Sequence, residues 1–447
     1  MEFRLFFTEP WEPVVVRRGD ALGLRALTDQ FANELAPELS NRIRDGRWVT
    51  ILAWCLVNSQ SVFNASGGRL IETSVQKRER YAWLRPLELM WVARTINLSN
   101  DWQNRSLLGQ RSVKPWYEAK MINDRFGMSI DQFQAYRQIG VYGGYRLAFR
   151  KWPGMTRAGD GWTPGPATLK LASWLDDKLS DVKPVWPNGI STKSAKSMRS
   201  KESKWWLQSW NTFDKKGKTS EVNTLPRPKT EYNVLPEAKI LRPLIFGSDE
   251  SGKCRLKIAA EIENSAASTH LDICKHLGRV FADDPVIYAL PSFSRLADAG
   301  MEALDFIAVS MVGESHMSLT KIAAKKKAVS ICKELRKAAE QWSKTTNPKL
   351  RYIDMANRLA SAIQTERPID CLRSLLQHHE KYAGGIHWFA LQDDNVVPLT
   401  TLNPGSSRYR FRFWSLCRLA KQCGVISQMP HVLLNDNEAV MQEDINE

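Results

Sequence analysis

The neighbouring histidines His378 and His379, with Asn395 and Asn403 further along, come nearest to a reactive set in this chain. In ββα-metal nucleases one histidine activates water while other side chains hold a divalent ion. The residue types loosely match, but the histidine pair closes a predicted helix, and that chemistry wants it on a hairpin. Asp249, Glu250 and Lys253 hold the residue types of a restriction-type nuclease triad in the wrong order and spacing. His270, His276 and His316 are isolated and read as structural. Neither GxxxxGK(S/T) nor GxGxxG occurs, and GxSxG and HExxH are missing too. The seven cysteines, at 55, 254, 274, 332, 371, 417 and 423, form no CxxC pair and no zinc spacing. An odd set of single thiols fits reduced core residues in a cytoplasm. The expectation is a protein with no catalytic residue, no metal and no cofactor.

What the sequence offers instead is charge. Lys and Arg number 63 against 48 Asp and Glu, a net charge of +15 over 447 residues. Such a surplus favours polyanionic partners, DNA or RNA above all. It is also concentrated: residues 150 to 260 hold 21 Lys and Arg against 11 Asp and Glu. Membrane partners are not expected. The longest apolar run, Trp48 to Val57, is about half of what spans a bilayer, and the amino terminus lacks a secretory pattern.

Three groups are candidate nucleic-acid contacts. The first is the segment Lys193 to Lys218, with Lys204, Trp205, Trp206, Trp210, Phe213, Lys215, Lys216 and Lys218. Lysines there would displace counterions from phosphates while the rings stack on unpaired bases; the plainer reading is a solvated loop anchored by its tryptophans. The second is a helix predicted over Leu319 to Trp342. A helical wheel sets Ala324, Ala328, Ile331, Leu335, Ala339 and Trp342 on one side, and Lys325, Lys326, Lys333, Arg336 and Lys337 on the other. A basic stripe on a rigid helix can follow a phosphate backbone, although an ordinary amphipathic helix has the same pattern. The third is Arg408, Arg410, Arg412 and Arg418, leading into the last helix. Their alternation with Tyr409, Phe411 and Phe413 equally suits a strand or helix start packed on its own domain.

The elements that must position these groups are mainly helical. Asp20 is placed to cap a helix carrying Leu24, Leu27, Phe31 and Leu35, which stops before Pro37. A second helix, from near Asn41, becomes apolar on all sides after Trp48 and should be buried. Thr73 and Gln76 announce a third, and further helices are expected over 117–126 and 130–139. Recurrent prolines and the Ser/Lys-rich stretch 191–204 mark residues 151–234 as a linker or insertion. Residues 239–246 and 255–262 fit strand or helix equally. Toward the end, Ile386 to Leu391 and Val396 to Leu399 flank Asp393, Asp394 and Asn395, a hairpin signal. The expected organisation is therefore a helical domain over 1–150, the basic insertion 151–234, a mixed α/β or helical domain over 235–345, a winged-helix-like module over 346–430 and an acidic tail over 431–447.

The opening segment DALGLRALTDQFANELAPELSNRIRDGRWVTILAWCL resembles the amino-terminal pattern of uncharacterised bacterial proteins found in phage-defence and mobile gene islands. Leu35, Pro37, Asn41, Arg44, Arg47 and Trp54 approximate its positions, with Glu38 where the pattern has glycine. GGIHWFAL and YRFRFWSLCRLAKQCGVI are similar to the carboxy-terminal region of such proteins. The likeness implies a setting and no catalytic residue: a subunit of an antiviral or anti-plasmid system beside a helicase, ATPase or nuclease. The expected function is a non-catalytic nucleic-acid-binding subunit, with DNA the preferred partner. A scaffold that bridges other subunits and a metal-dependent nuclease are the alternatives.

Overall fold

The computed structural model describes residues 20–40, 42–65, 84, 87–88, 91–92, 95, 108, 141–178, 233–345, 349–365, 367–384, 387–400 and 409–434. They are mainly helical. In chain order the helices are α1 (Arg25–Leu35), α2 (Gly46–Ala65), α3 (Val141–Lys151), α4 (Pro166–Lys178), α5 (Ala238–Ile245), α6 (Glu250–Asn264), α7 (His270–Val280), α8 (Pro285–Ser310), α9 (Leu319–Ala323), α10 (Lys326–Ser343), α11 (Ile353–Ala362), α12 (Pro368–Tyr382) and α13 (Phe413–Gln422). Three short strands, β1 (Met317–Ser318), β2 (Phe389–Gln392) and β3 (Asn395–Pro398), form an antiparallel sheet in the order β1-β3-β2. Among the described residues no helix is long and apolar enough to cross a membrane. The helices expected at 117–126 and 130–139, most of the one announced at Thr73, the stretch 191–204 and the tail beyond 434 lie outside the described residues.

The chain divides into two compact units, each built from separate stretches of sequence. The described parts of the first fall within residues 20–34 and 268–411. Its axis is α8, a helix of 26 residues that packs against α7 and α10. Asp284 caps α8 by accepting from the amides of Val286 and Ile287, and Pro285 fills the first turn, where no amide partner is needed. Phe293 sits at the centre of an aromatic cluster. Its ring centroid lies 4.7 Å from Phe31, 5.9 Å from Trp342 and 6.0 Å from Phe411. Asp20 caps α1 as expected, taking the amides of Leu24 at 2.8 Å and Arg25 at 2.9 Å. The hairpin is also present. Asp393 and Asp394 both take positive φ, 46° and 65°, which a two-residue turn between twisted strands requires.

One expectation needs correction in this unit. The single helix over 319–342 is divided, because Lys325 is extended (φ −64°, ψ 138°) and opens α10 anew. A wheel drawn through that break misassigns the faces. Ala324 is exposed, while Ala338 and Cys332 join Ala328, Leu335, Ala339 and Trp342 in the buried stripe. Of the residues expected to form a winged-helix-like module, 346–411 fall in this unit and 412–430 in the second. The hairpin pairs with β1 and packs on α12 in the first unit, whereas α13 packs on α6 in the second.

The described parts of the second unit fall within residues 35–267 and 412–434. Its apolar centre is α2, buried on every side from Trp48 to Leu56 and packed against α3 and α4. Trp54 meets Trp91 edge to face at 6.1 Å and donates its indole N–H to Asp176 at 3.0 Å. The stretches 239–246 and 255–262, ambiguous by period, are helical. Charge is buried here only with partners. Arg47 pairs with Glu237, and the Arg418 guanidinium reaches Asp45 at 2.6 Å while lying over the Trp414 ring. Glu38, where the resembling pattern has glycine, has a φ of 59°, in the left-handed region that glycine favours.

Candidate nucleic-acid interface

Of the residues singled out for nucleic-acid contact, Lys204, Trp205, Trp206, Trp210, Lys215, Lys216, Lys218 and Arg408 lie outside the described residues. The remaining arginines of the third group serve partners within the protein. Arg410 reaches Asp298 at 3.4 Å in the first unit. Arg412 donates to the carbonyl of Leu39 at 2.6 Å in the second. Arg418 is 3% exposed, locked on Asp45. The alternation of arginine with aromatics spells a chain entering a core, since Phe411 and Phe413 are both buried.

The lysines of α10 behave differently. Lys325 is exposed and donates to the carbonyl of Ser310 at the end of α8, where a cation meets the negative end of a helix. Lys326 and Lys333 are exposed with no ion-pair partner among the described residues. Lys337 pairs with Glu334 at 2.9 Å, and Arg336 lies 3.9 Å from Glu340. At 100° per residue, Lys326, Lys333, Lys337 and the C-cap Lys344 fall within about 40° of one another. They extend over about 27 Å at 1.5 Å per residue. Glu340 is the acid in this stripe.

Lys337 and Lys344 form one wall of a groove of about 820 Å³ bounded by α7, α8 and α10. The opposite wall is α7, contributing Lys275 and Arg279 one turn apart. Its capping box (Thr269 with Asp272) starts a helix whose inner face is Ile273, Cys274 and Leu277. Arg295 of α8 is the fifth cation. Three carboxylates answer these charges in part. Asp272 lies 3.3 Å from Lys275, Glu334 binds both Arg295 (3.0 Å) and Lys337 (2.9 Å), and Glu340 lines the groove itself. The hydrogen bonds from Lys337 and Arg295 hold the Glu334 carboxyl below its usual range, so it is ionised at neutral pH. With Arg336 counted, six cations face three carboxylates, and among the described residues Arg279 and Lys344 have no carboxylate at ion-pair distance. Lys275, Arg279, Arg295 and Lys344 escaped the sequence reading because they are spread over three helices. The i, i+4 pair opposite the apolar face of α7 was the one local signal.

The features that suggested catalysis have other occupations. The His379 imidazole donates from Nδ1 to the carbonyl of Ala21 (2.8 Å), and Nε2 accepts the Trp388 amide (2.9 Å). Both nitrogens are engaged, so neither is left to take a proton from water or to bind an ion. Burial holds the ring below its usual pKa, that is, neutral. His378 donates to the carbonyl of Leu22 at 3.0 Å. Asn395 opens β3, and Asn403 lies outside the described residues. Among the described residues no three His, Cys, Asp or Glu side chains converge as metal ligands. Asp249 is the N-cap of α6, accepting the Gly252 amide.

The stretch Gly247 to Cys254 (GSDESGKC) departs from the phosphate-loop pattern only in its final cysteine. The structural context is different. Helix α5 precedes it where a phosphate loop follows a strand, and a carboxylate, Asp249, already takes the Gly252 amide. Gly252 is packed so closely on the Gly247 backbone that a Cβ would lie 2.6 Å from it. The loop closes on itself.

The chain matches no protein family, no curated protein and no solved structure. Its function must be read from its own side chains, and the α7–α8–α10 groove is where they converge. Such a groove can hold a chain of phosphates by charge, with Lys and Arg as donors. A second groove, between α11 and α12, has mixed charge: Arg358 donates to the Tyr382 hydroxyl at 3.0 Å beside Asp354 and Lys381.

Proposed function

We propose that the protein binds nucleic acid, DNA by preference, through the α7–α8–α10 groove. Its role would be that of a non-catalytic cytoplasmic subunit in a bacterial antiviral or anti-plasmid complex, working beside a helicase, ATPase or nuclease. The binding reading is carried by one observation: Lys275, Arg279, Arg295, Lys337 and Lys344, from three helices, line one groove with Glu340 as its lining carboxylate. The defence setting is carried by the likeness of the opening segment and the carboxy-terminal motifs, and gene neighbours encoding a motor or nuclease would test it.

Binding is tested by titration at two salt concentrations. Five phosphate contacts on a single strand give a slope of about −3.5 in log K against log salt, a loss of roughly 130-fold between 50 and 200 mM. Lys344→Ala removes one contact and brings the slope to about −2.8. Because Lys344 is exposed at a helix end, stability should hold within about 0.5 kcal/mol. Affinity that ignores salt, or a slope unchanged in the Lys344 and Arg279 variants, removes the groove from the function.

A further inference from the structure

We infer that the groove selects single-stranded over duplex nucleic acid, by stacking an unpaired base on Tyr288. This rests on the reading of the groove as a nucleic-acid site. Tyr288, Pro291, Ser292 and Arg295 follow one another at i, i+3, i+4 and i+7 along α8 and so share one face of it, the floor of the groove. Tyr288 and Pro291 give it an apolar part, with Ser292 and Arg295 beside them. Gly278 of α7 abuts Pro291 so closely that a Cβ there would lie 2.8 Å from the proline ring, and Ala282 follows at the turn. Tyr288 stands beside them half exposed, at 50%, although a tyrosine ring gains most when covered. Cations rise on both sides, Lys275 and Arg279 on α7 and Lys337 and Lys344 on α10.

A floor with an aromatic, apolar part between two cationic walls suits a polymer with charge on its edge and flat rings that can turn inward. Single-stranded nucleic acid has that form, with phosphates for the walls and a base face for Tyr288. A duplex offers the same phosphates, but its bases are stacked on each other and covered, so Tyr288 gains nothing from it. Discrimination therefore resides in Tyr288, and the charge-based part of affinity in the walls.

The test uses the full chain with a labelled 20-nucleotide oligothymidine and a 20-base-pair duplex at the same salt. Three variants, Tyr288→Ala, Tyr288→Phe and Lys337→Glu, are checked for folding by circular dichroism. The expected result is tighter binding of the single strand. Tyr288→Ala should weaken it about 5- to 150-fold, the range for one base stacked on an aromatic side chain. Tyr288→Phe should retain it, and duplex affinity should not change in either variant. Lys337→Glu should weaken both ligands. Equal binding of strand and duplex, or a single-strand affinity untouched by Tyr288→Ala, overturns the strand preference, and the nucleic-acid reading survives if Lys337→Glu still weakens both. No effect of Lys337→Glu on either ligand overturns the two readings together.

Discussion

Glu334 gives the most discriminating prediction, because its removal should tighten binding. Its two carboxylate oxygens are divided between Lys337 (2.9 Å) and Arg295 (3.0 Å), two of the five cations that line the groove. A phosphate entering the groove has to compete with that carboxylate. All three side chains are between about a third and a half exposed, so each pair is worth the little that surface pairs usually are, about 0.2–1 kcal/mol. Glu334→Gln keeps the shape of the side chain and removes the charge. Stability should fall by no more than those two weak pairs, about 0.4–2 kcal/mol in all. If the freed cations transfer their pairing to phosphate, affinity should rise by the same amount, about 2- to 30-fold. The assay is a fluorescence-anisotropy titration at 50 mM salt, with thermal unfolding measured in parallel. A scaffold site for an acidic protein would show no gain toward oligonucleotide. An unchanged or lower affinity in a folded Glu334→Gln protein would refute the view that these cations are there for phosphate.

Two further outcomes follow from the buried charges. Arg418→Ala should destabilise the second unit by about 3–5 kcal/mol, because the buried Asp45 loses the guanidinium paired with it; chemical denaturation would read the loss, and Asp45→Asn with Arg418→Met should restore part of it. Stability should also fall with acid: burial holds the imidazoles of His270, His378 and His379 below their usual pKa, with Arg410 acting in the same direction on His270. A depressed histidine pKa means that the unfolded chain binds more protons, so stability is complete above about pH 6.5 and is lost as pH falls. His270→Phe, which keeps a ring against Phe411, should flatten the melting-temperature profile between pH 6.5 and 5; a profile identical to that of the parent would show that His270 does not titrate on unfolding.

Local elements were readable from the sequence where one side chain decides them. Asp20 announces α1, the run from Trp48 announces a helix buried all round, and Asp393, Asp394 and Asn395 announce a hairpin turn, where the two aspartates take positive φ. What could not be read was assembly. The hairpin and α13 follow each other in sequence and belong to different units, because β1, far upstream at Met317–Ser318, supplies the pairing edge for β3. The break at Lys325 left no glycine or proline in the sequence to mark it. The groove was half readable: the α10 lysines were visible as a stripe, but their counterparts on α7 and α8 are brought close only by packing around Gly278 and Pro291.

The sum of cationic residues concealed a difference in kind between them. Arg47, Arg255 and Arg418 rank among the most buried side chains of the second unit, each engaged by an acid or a backbone carbonyl. A guanidinium can be buried that way because its planar fork satisfies several acceptors at once and is weakly hydrated, whereas the compact ammonium of lysine stays in water. The lysines of α7 and α10 are accordingly exposed. Arginines alternating with aromatics near 410 therefore report a core, and the lysine spacing 326, 333, 337, 344 reports a surface. Reversing the lysines should therefore abolish binding and leave folding intact, and replacing the buried arginines should lower stability and leave the affinity of the folded protein unchanged. A protein whose oligonucleotide affinity followed Arg418 instead of Lys337 would show that the charges had been assigned to the wrong side.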